Sequence, residues 1–118
     1  MTHDNRRKSS RAAVDFFVEE RRGERSWLHP AIDLSIDGLY VLVTDDRRAL
    51  DASVALELEF TLPTGSLVKS RVRIAYIDDR LGQRGLGLEF IELDDNSRSE
   101  IERFVEVALS TQSRAAAL

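Results

Sequence analysis

Two clusters of side chains in this sequence can grip an anionic ligand that carries a base. The first is Arg7-Lys8-Ser9-Ser10-Arg11, read as Arg-x-x-x-Arg, with Arg6 directly before it. A guanidinium is a planar fork that meets two phosphate oxygens, or the O6 and N7 edge of guanine, and its face stacks on a base. Two of them in one short segment can close as a clamp. The second cluster is Asp33-Leu34-Ser35-Ile36-Asp37-Gly38, read as Asp-x-Ser-x-x-Gly. Asp33 can accept from the N1 and N2 donors of guanine, Ser35 can donate and accept, and Gly38 allows a positive φ or a close backbone approach. Adenine offers an acceptor at N1 and no N2 amine, so a carboxylate there would be left under-satisfied. Each cluster also has a plainer reading. An arginine-rich start is commonly a solvated arm, and Asp-x-Ser before a glycine is commonly a turn that satisfies its own backbone. The turn role and the ligand role can coexist.

The elements that would position these clusters are mostly strands. Residues 1–10 are polar and basic without periodicity and read as a flexible arm that a ligand could order. Val14, Phe16, Phe17 and Val18 mark a first strand over 12–20, and Trp27, Leu28 and Ile32 a second, with Pro30 expected at an edge or bulge. Leu39 to Thr44 is a nearly continuous apolar strand, closed by a charged turn over 45–48. Val54, Leu56, Leu58, Phe60 and Leu62 alternate with polar residues. Pro63-Thr64-Gly65 turns the chain, and Val68, Ser70, Val72, Ile74 and Tyr76 repeat the alternation, with Arg71 and Arg73 on the outward series. A turn is expected over 78–84, then a strand through Leu86-Gly87-Leu88-Glu89-Phe90. At the end the period changes. Ile101, Phe104, Val105, Ala108 and Leu109 fall at helical spacing, and Ser97 with Glu100 has the form of a capping box.

Composition excludes several functions. The chain has 118 residues, enough for one domain with one core, and a net charge of -4, which opposes a general nucleic-acid binder. A small nucleic-acid-binding barrel using the basic arm is the reading this charge disfavours. There is no cysteine, so disulfides, thiolate catalysis and thiolate metal sites are absent. His3 and His29 have no partners at metal-ligand spacing, and no nucleophile, base and orienting group stand in plausible relation, so neither a metal site nor an enzyme is expected. Trp27 and Tyr40 read as packing residues, with Trp27 close to the second cluster. With no secretory leader and no apolar run of about 20 residues, the expected location is the cytoplasm, without membrane insertion.

The two motifs in this order, followed by Gly85-Leu86-Gly87-Leu88-Glu89-Phe90-Ile91 and a terminal helix, resemble the PilZ domain family along nearly the whole chain. The resemblance implies a mainly β fold, a small antiparallel six-stranded β-barrel with a C-terminal α-helix. It implies a flexible basic arm over 1–10, a barrel domain with its helix over 11–112, and a disordered tail over 113–118. It implies a non-catalytic receptor of the bacterial second messenger cyclic di-GMP that needs no cofactor. Arg7, Arg11, Asp33, Ser35 and Gly38 become the ligand-binding residues. Arg6 takes the place where members with a basic residue hold a stacked pair of ligands. The signal would pass to an unidentified protein effector, the usual family outlets being motility and exopolysaccharide or biofilm regulation. The alternative is a PilZ-like protein–protein adaptor that does not bind nucleotide.

Overall fold

A computed structural model of the chain describes residues 10–44, 49–80 and 82–117, with backbone alone over 113–117. Arg6, Arg7 and the expected turn over 45–48 lie outside the described residues. Among the described residues, seven strands and one helix follow one another: β1 (Ala12–Ala13), β2 (Phe17–Arg22), β3 (Arg25–Leu34), β4 (Gly38–Leu42), β5 (Leu56–Thr61), β6 (Leu67–Arg80), β7 (Gln83–Leu93) and α1 (Asp95–Ala117). Every pairing is antiparallel. The order β3-β2-β5-β6-β7-β4 closes through a β3–β4 pairing into a six-stranded barrel, and β1 adds to the rim of β3. Closure removes the open sheet edges that would otherwise invite pairing with other chains.

Alternation in the sequence fills the barrel as expected on β5 and β6. Leu56, Leu58, Phe60 and Leu62 meet Val68, Val72 and Ile74 in a core completed by Val18, Ala31, Leu34, Leu39, Val41, Leu86 and Leu88. Ile101 and Val105 of α1 join that core, while most of the helix's other residues face outward. Gly65, at φ 101°, closes the β5–β6 hairpin with its N–H donated to Leu62 O at 2.8 Å. Pro30 fits its strand because Ala31 donates its N–H towards β2, to Phe16 O at 2.8 Å. The proline nitrogen therefore faces the other edge, where pairing with β4 begins only at Ala31.

Four expectations change. The single first strand is two, β1 and β2, separated by Val14-Asp15-Phe16. Most of the expected turn over 78–84 is strand, since β6 and β7 stay paired out to Arg80 and Gln83, with Gly82 in the turn at φ 79°. The helix begins three residues earlier than a cap at Ser97 implies: Ser97 donates its N–H to Asp94 Oδ1 at 2.7 Å, so Asp94 is the cap, and Glu100 instead accepts from Ser66 Oγ at 2.9 Å. Tyr76 leaves the inward series. Between Ile74 and Tyr76 the β6–β7 register shifts, because Ala75 has no opposite number on β7. One extra residue turns everything beyond it to the other face, so Tyr76 stands outside the barrel, 46% exposed.

Candidate functional site

A second bulge acts in the same way on β3. Ala31 pairs with Val41 and Asp33 with Tyr40, which leaves Ile32 as the extra residue. His29 and Ala31 point into the barrel, and strict alternation would send Asp33 there too. The bulge turns it outward and returns Leu34 to the core. Along the pairings Ala13–Asp33, Asp33–Tyr40, Tyr40–Gly87 and Gly87–Tyr76, four strands beyond β1 then carry one outward row. The two bulges thus place Asp33 and Tyr76 on the same outer face.

Arg11 reaches this face through β1. Pairing of Ala12 with Leu34 and Ala13 with Asp33 fixes the chain immediately after Arg11 alongside the second motif. Arg11 Nη1 donates to Asp33 Oδ1 at 2.7 Å, and both side chains are 21% exposed. Arg11 of the first motif and Asp33 of the second therefore meet in a charge-assisted hydrogen bond, partly withdrawn from water. Helix α1 steadies the assembly from the other side, with Gln112 Nε2 3.4 Å from Ala13 O and Arg98 Nη1 3.4 Å from Ile36 O.

Ser35 and Gly38 are occupied in shaping the bend. Ser35 is 1% exposed; its N–H donates to Gly38 O at 2.8 Å, and its Oγ accepts from the Asp37 N–H at 3.1 Å. Gly38 does not take a positive φ. Its use is close approach: a Cβ there would overlap the Leu88 carbonyl oxygen and lie 2.9 Å from Leu88 C. The backbone it approaches is that of β7. The close pass is fastened by Phe90, whose N–H donates to Asp37 O at 2.9 Å.

Beside the bend lies a cleft of about 420 Å³ bounded by Arg11, Asp37, Tyr76, Gly87 and Glu89. Pockets for small ligands run from about 300 to 1,000 Å³. Gly87 lacks a side chain on the outer row, and the Tyr76 ring lies across it, where a Cβ would come within 2.6 Å of Cδ1. Arg73, exposed on β6, donates its Nε–H to Glu89 Oε1 at 2.6 Å. Tyr40 leans the other way, over Gly85. It is fully buried, covered by the Arg80 guanidinium 3.8 Å from its ring centroid and donating its hydroxyl to Asp78. Burial first, and then the Asp78 carboxylate, push its phenol up to about 12.

The matched family model is the PilZ domain, over residues 5–107. The chain belongs to the PilZ domain family. Solved structures agree in fold. The PilZ domain of Escherichia coli YcgR, determined with c-di-GMP, superposes with a TM-score of 0.79 at 14% identity, covering 95% of this chain and 98% of that one. Bacillus subtilis MotI/DgrA, an inhibitor of motility, gives a TM-score of 0.78 at 16% identity, covering 92% of this chain and 52% of that one. A longer YcgR chain, in complex with c-di-GMP, gives 0.76 at 17% identity, with 95% and 49% covered. This PilZ chain thus spans about half the length of those longer neighbours.

Trp27, expected near the second motif, sits six residues before Asp33 on β3, about 20 Å along an extended strand, with Arg25 5.6 Å from its ring. Tyr76 was concealed in the sequence by its place in an apparently inward series. Its only outward sign there is the pairing of a long alternating strand with the Gly-x-Gly strand, where a missing side chain leaves room for a ring.

Proposed function

We propose that this PilZ domain is a receptor for cyclic di-GMP, held by the arginine arm and by the Asp33 bend on the outer face of the barrel. The observation that carries the reading is the Arg11–Asp33 contact at 2.7 Å beside an open cleft. It joins a phosphate-binding and base-stacking cation to an acceptor for the guanine N1 and N2 donors. An ionised carboxylate has about four lone-pair sites, so Asp33 can orient Arg11 and still accept from a base. The structures of YcgR with c-di-GMP support the ligand's identity. Arg7 supplies the second fork of the clamp and Arg6 a further cation for a stacked second ligand. Ser35 and Gly38 serve the ligand by holding the bend that presents Asp33.

The reading includes no catalytic step. Among the described residues no group of three or more His, Asp or Glu could hold a metal ion, and no helix is long and apolar enough to cross a membrane. Ligand binding at the arginine motif changes the surface offered to an effector protein in the cytoplasm. The motility inhibitor among the structural neighbours points to motility as an outlet. The test is a pair of calorimetric titrations with cyclic di-GMP and cyclic di-AMP. Saturable heat with the guanine ligand alone is expected. Equal binding of both removes the role given to Asp33, and binding of neither leaves the protein-adaptor reading.

A further inference from the structure

The geometry points to Tyr76 as a base-stacking residue of the site, outside both sequence motifs, that receives one guanine of the ligand on its uncovered side. This inference rests on the receptor reading above. Three observations lead to it. Tyr76 is 46% exposed in the outward row that contains Asp33, and its ring is a wall of the cleft that Arg11 also bounds. The ring is braced on its other sides by the Gly87 backbone, across which it lies, and by Tyr40, whose ring centroid is 6.2 Å away at 30°. The Ala75 bulge turns it outward: with unbroken alternation, the series from Val68 to Ile74 would carry position 76 into the core.

An aromatic ring supported from behind and bare in front is a low-entropy platform for a flat base, and every purine has a face to lay on it. The neighbouring charges suit guanine in particular. Asp37 and Glu89 stand at the rim as acceptors, and Arg11 as a cation for the ribose-phosphate ring. Tyr40 cannot serve in its place. It is fully buried beneath Arg80, and its hydroxyl is committed to Asp78.

The experiment uses the full chain and cyclic di-GMP, titrated by calorimetry into wild type, Tyr76→Phe, Tyr76→Leu and Tyr76→Ala. Stacking loss corresponds to about 1–3 kcal/mol per base, or roughly 5-fold to 150-fold in Kd. Tyr76→Phe keeps wild-type affinity within about 3-fold, while Tyr76→Leu, which still covers Gly87, loses at least about 5-fold. In parallel, the wild-type chain is labelled with 3-fluorotyrosine. It has two tyrosines, so the ¹⁹F spectrum reads position 76 against position 40 even if a variant folds poorly. A ligand-induced shift of the Tyr76 resonance larger than that of Tyr40 supports stacking. Wild type that binds cyclic di-GMP while Tyr76→Leu binds equally well, or with an unmoved Tyr76 resonance, overturns this inference and leaves the receptor reading intact. Wild type that binds no cyclic di-GMP overturns both.

Discussion

Gly38→Ala separates the two uses a glycine can have at the end of this motif. A methyl group at position 38 overlaps the Leu88 carbonyl oxygen and stands 2.9 Å from Leu88 C and 3.0 Å from Glu89 Cα, all of them backbone atoms that no rotamer change can move. To restore ordinary contact, β4 must withdraw from β7 by over an ångström. The bonds across and within the bend, Phe90 N–H to Asp37 O at 2.9 Å and Ser35 N–H to Gly38 O at 2.8 Å, are then stretched beyond useful length. Two lost hydrogen bonds at about 1 kcal/mol each, added to about 1–3 kcal/mol for overpacking, give a destabilisation of about 3–5 kcal/mol. Domains of this size have about 5–15 kcal/mol in all, and about 4 °C of Tm accompanies each kcal/mol, so the expected fall is about 12–20 °C. Thermal unfolding followed by circular dichroism measures it. A variant that melts within about 2 °C of wild type and yet binds no ligand would refute the reasoning, since Gly38 would then be making room for the ligand and not for Leu88.

Three further outcomes follow from particular contacts. A double-mutant cycle on Arg11→Ala and Asp33→Ala, read by urea denaturation, should give a coupling of about 1–2 kcal/mol, above that of an exposed ion pair because both side chains are largely withdrawn from water; a coupling near zero means the contact does not form in solution. Tyr40 has its pKa raised from 10.0 to about 12, so the folded state holds the phenol proton more tightly than the unfolded chain, and this contribution is complete below pH 10 and lost as the pH rises through 12. Tyr40→Phe should therefore be less stable than wild type at pH 8 and approach it towards pH 12; a difference that stays constant between those limits contradicts the assignment. Inside the barrel, His29 Nε2 and Glu20 Oε1 are 2.9 Å apart and both residues are buried. His29→Leu should lower stability by about 1–3 kcal/mol by removing a buried hydrogen-bond partner of Glu20, and adding Glu20→Leu should restore part of it; a double variant no better than the single one counts against a buried pair.

The barrel class, the β5–β6 hairpin and its core were legible because β5 and β6 alternate cleanly and Pro63-Thr64-Gly65 turns the chain between them, whereas the strand order was not. The site was legible only in its motifs. What sequence concealed was direction. Whether Asp33 and Tyr76 face the core or water depends on Ile32 and Ala75, each an extra residue that exists only relative to a partner strand. No single strand's pattern contains that information, and straight alternation gives the opposite answer for both. The helix start failed for a different reason. Asp94, Asp95, Asn96 and Ser97 are all good caps, and the choice of Asp94 is made by where β7 ends. Ser35 and Gly38 carry the same residue types for a turn as for a ligand site, and the structure shows them employed in the turn.

The central claim, a guanine dinucleotide gripped between the arginine arm and the Asp33 bend, is tested most directly by calorimetric titration of cyclic di-GMP into wild type, Arg11→Ala and Asp33→Ala, with each variant's melting curve recorded alongside. The account predicts saturable binding by wild type that falls at least about 10-fold in each folded variant, as the loss of one charge-assisted contact requires. Folded variants that bind as tightly as wild type, or a wild type that gives no heat at saturating ligand, would contradict it.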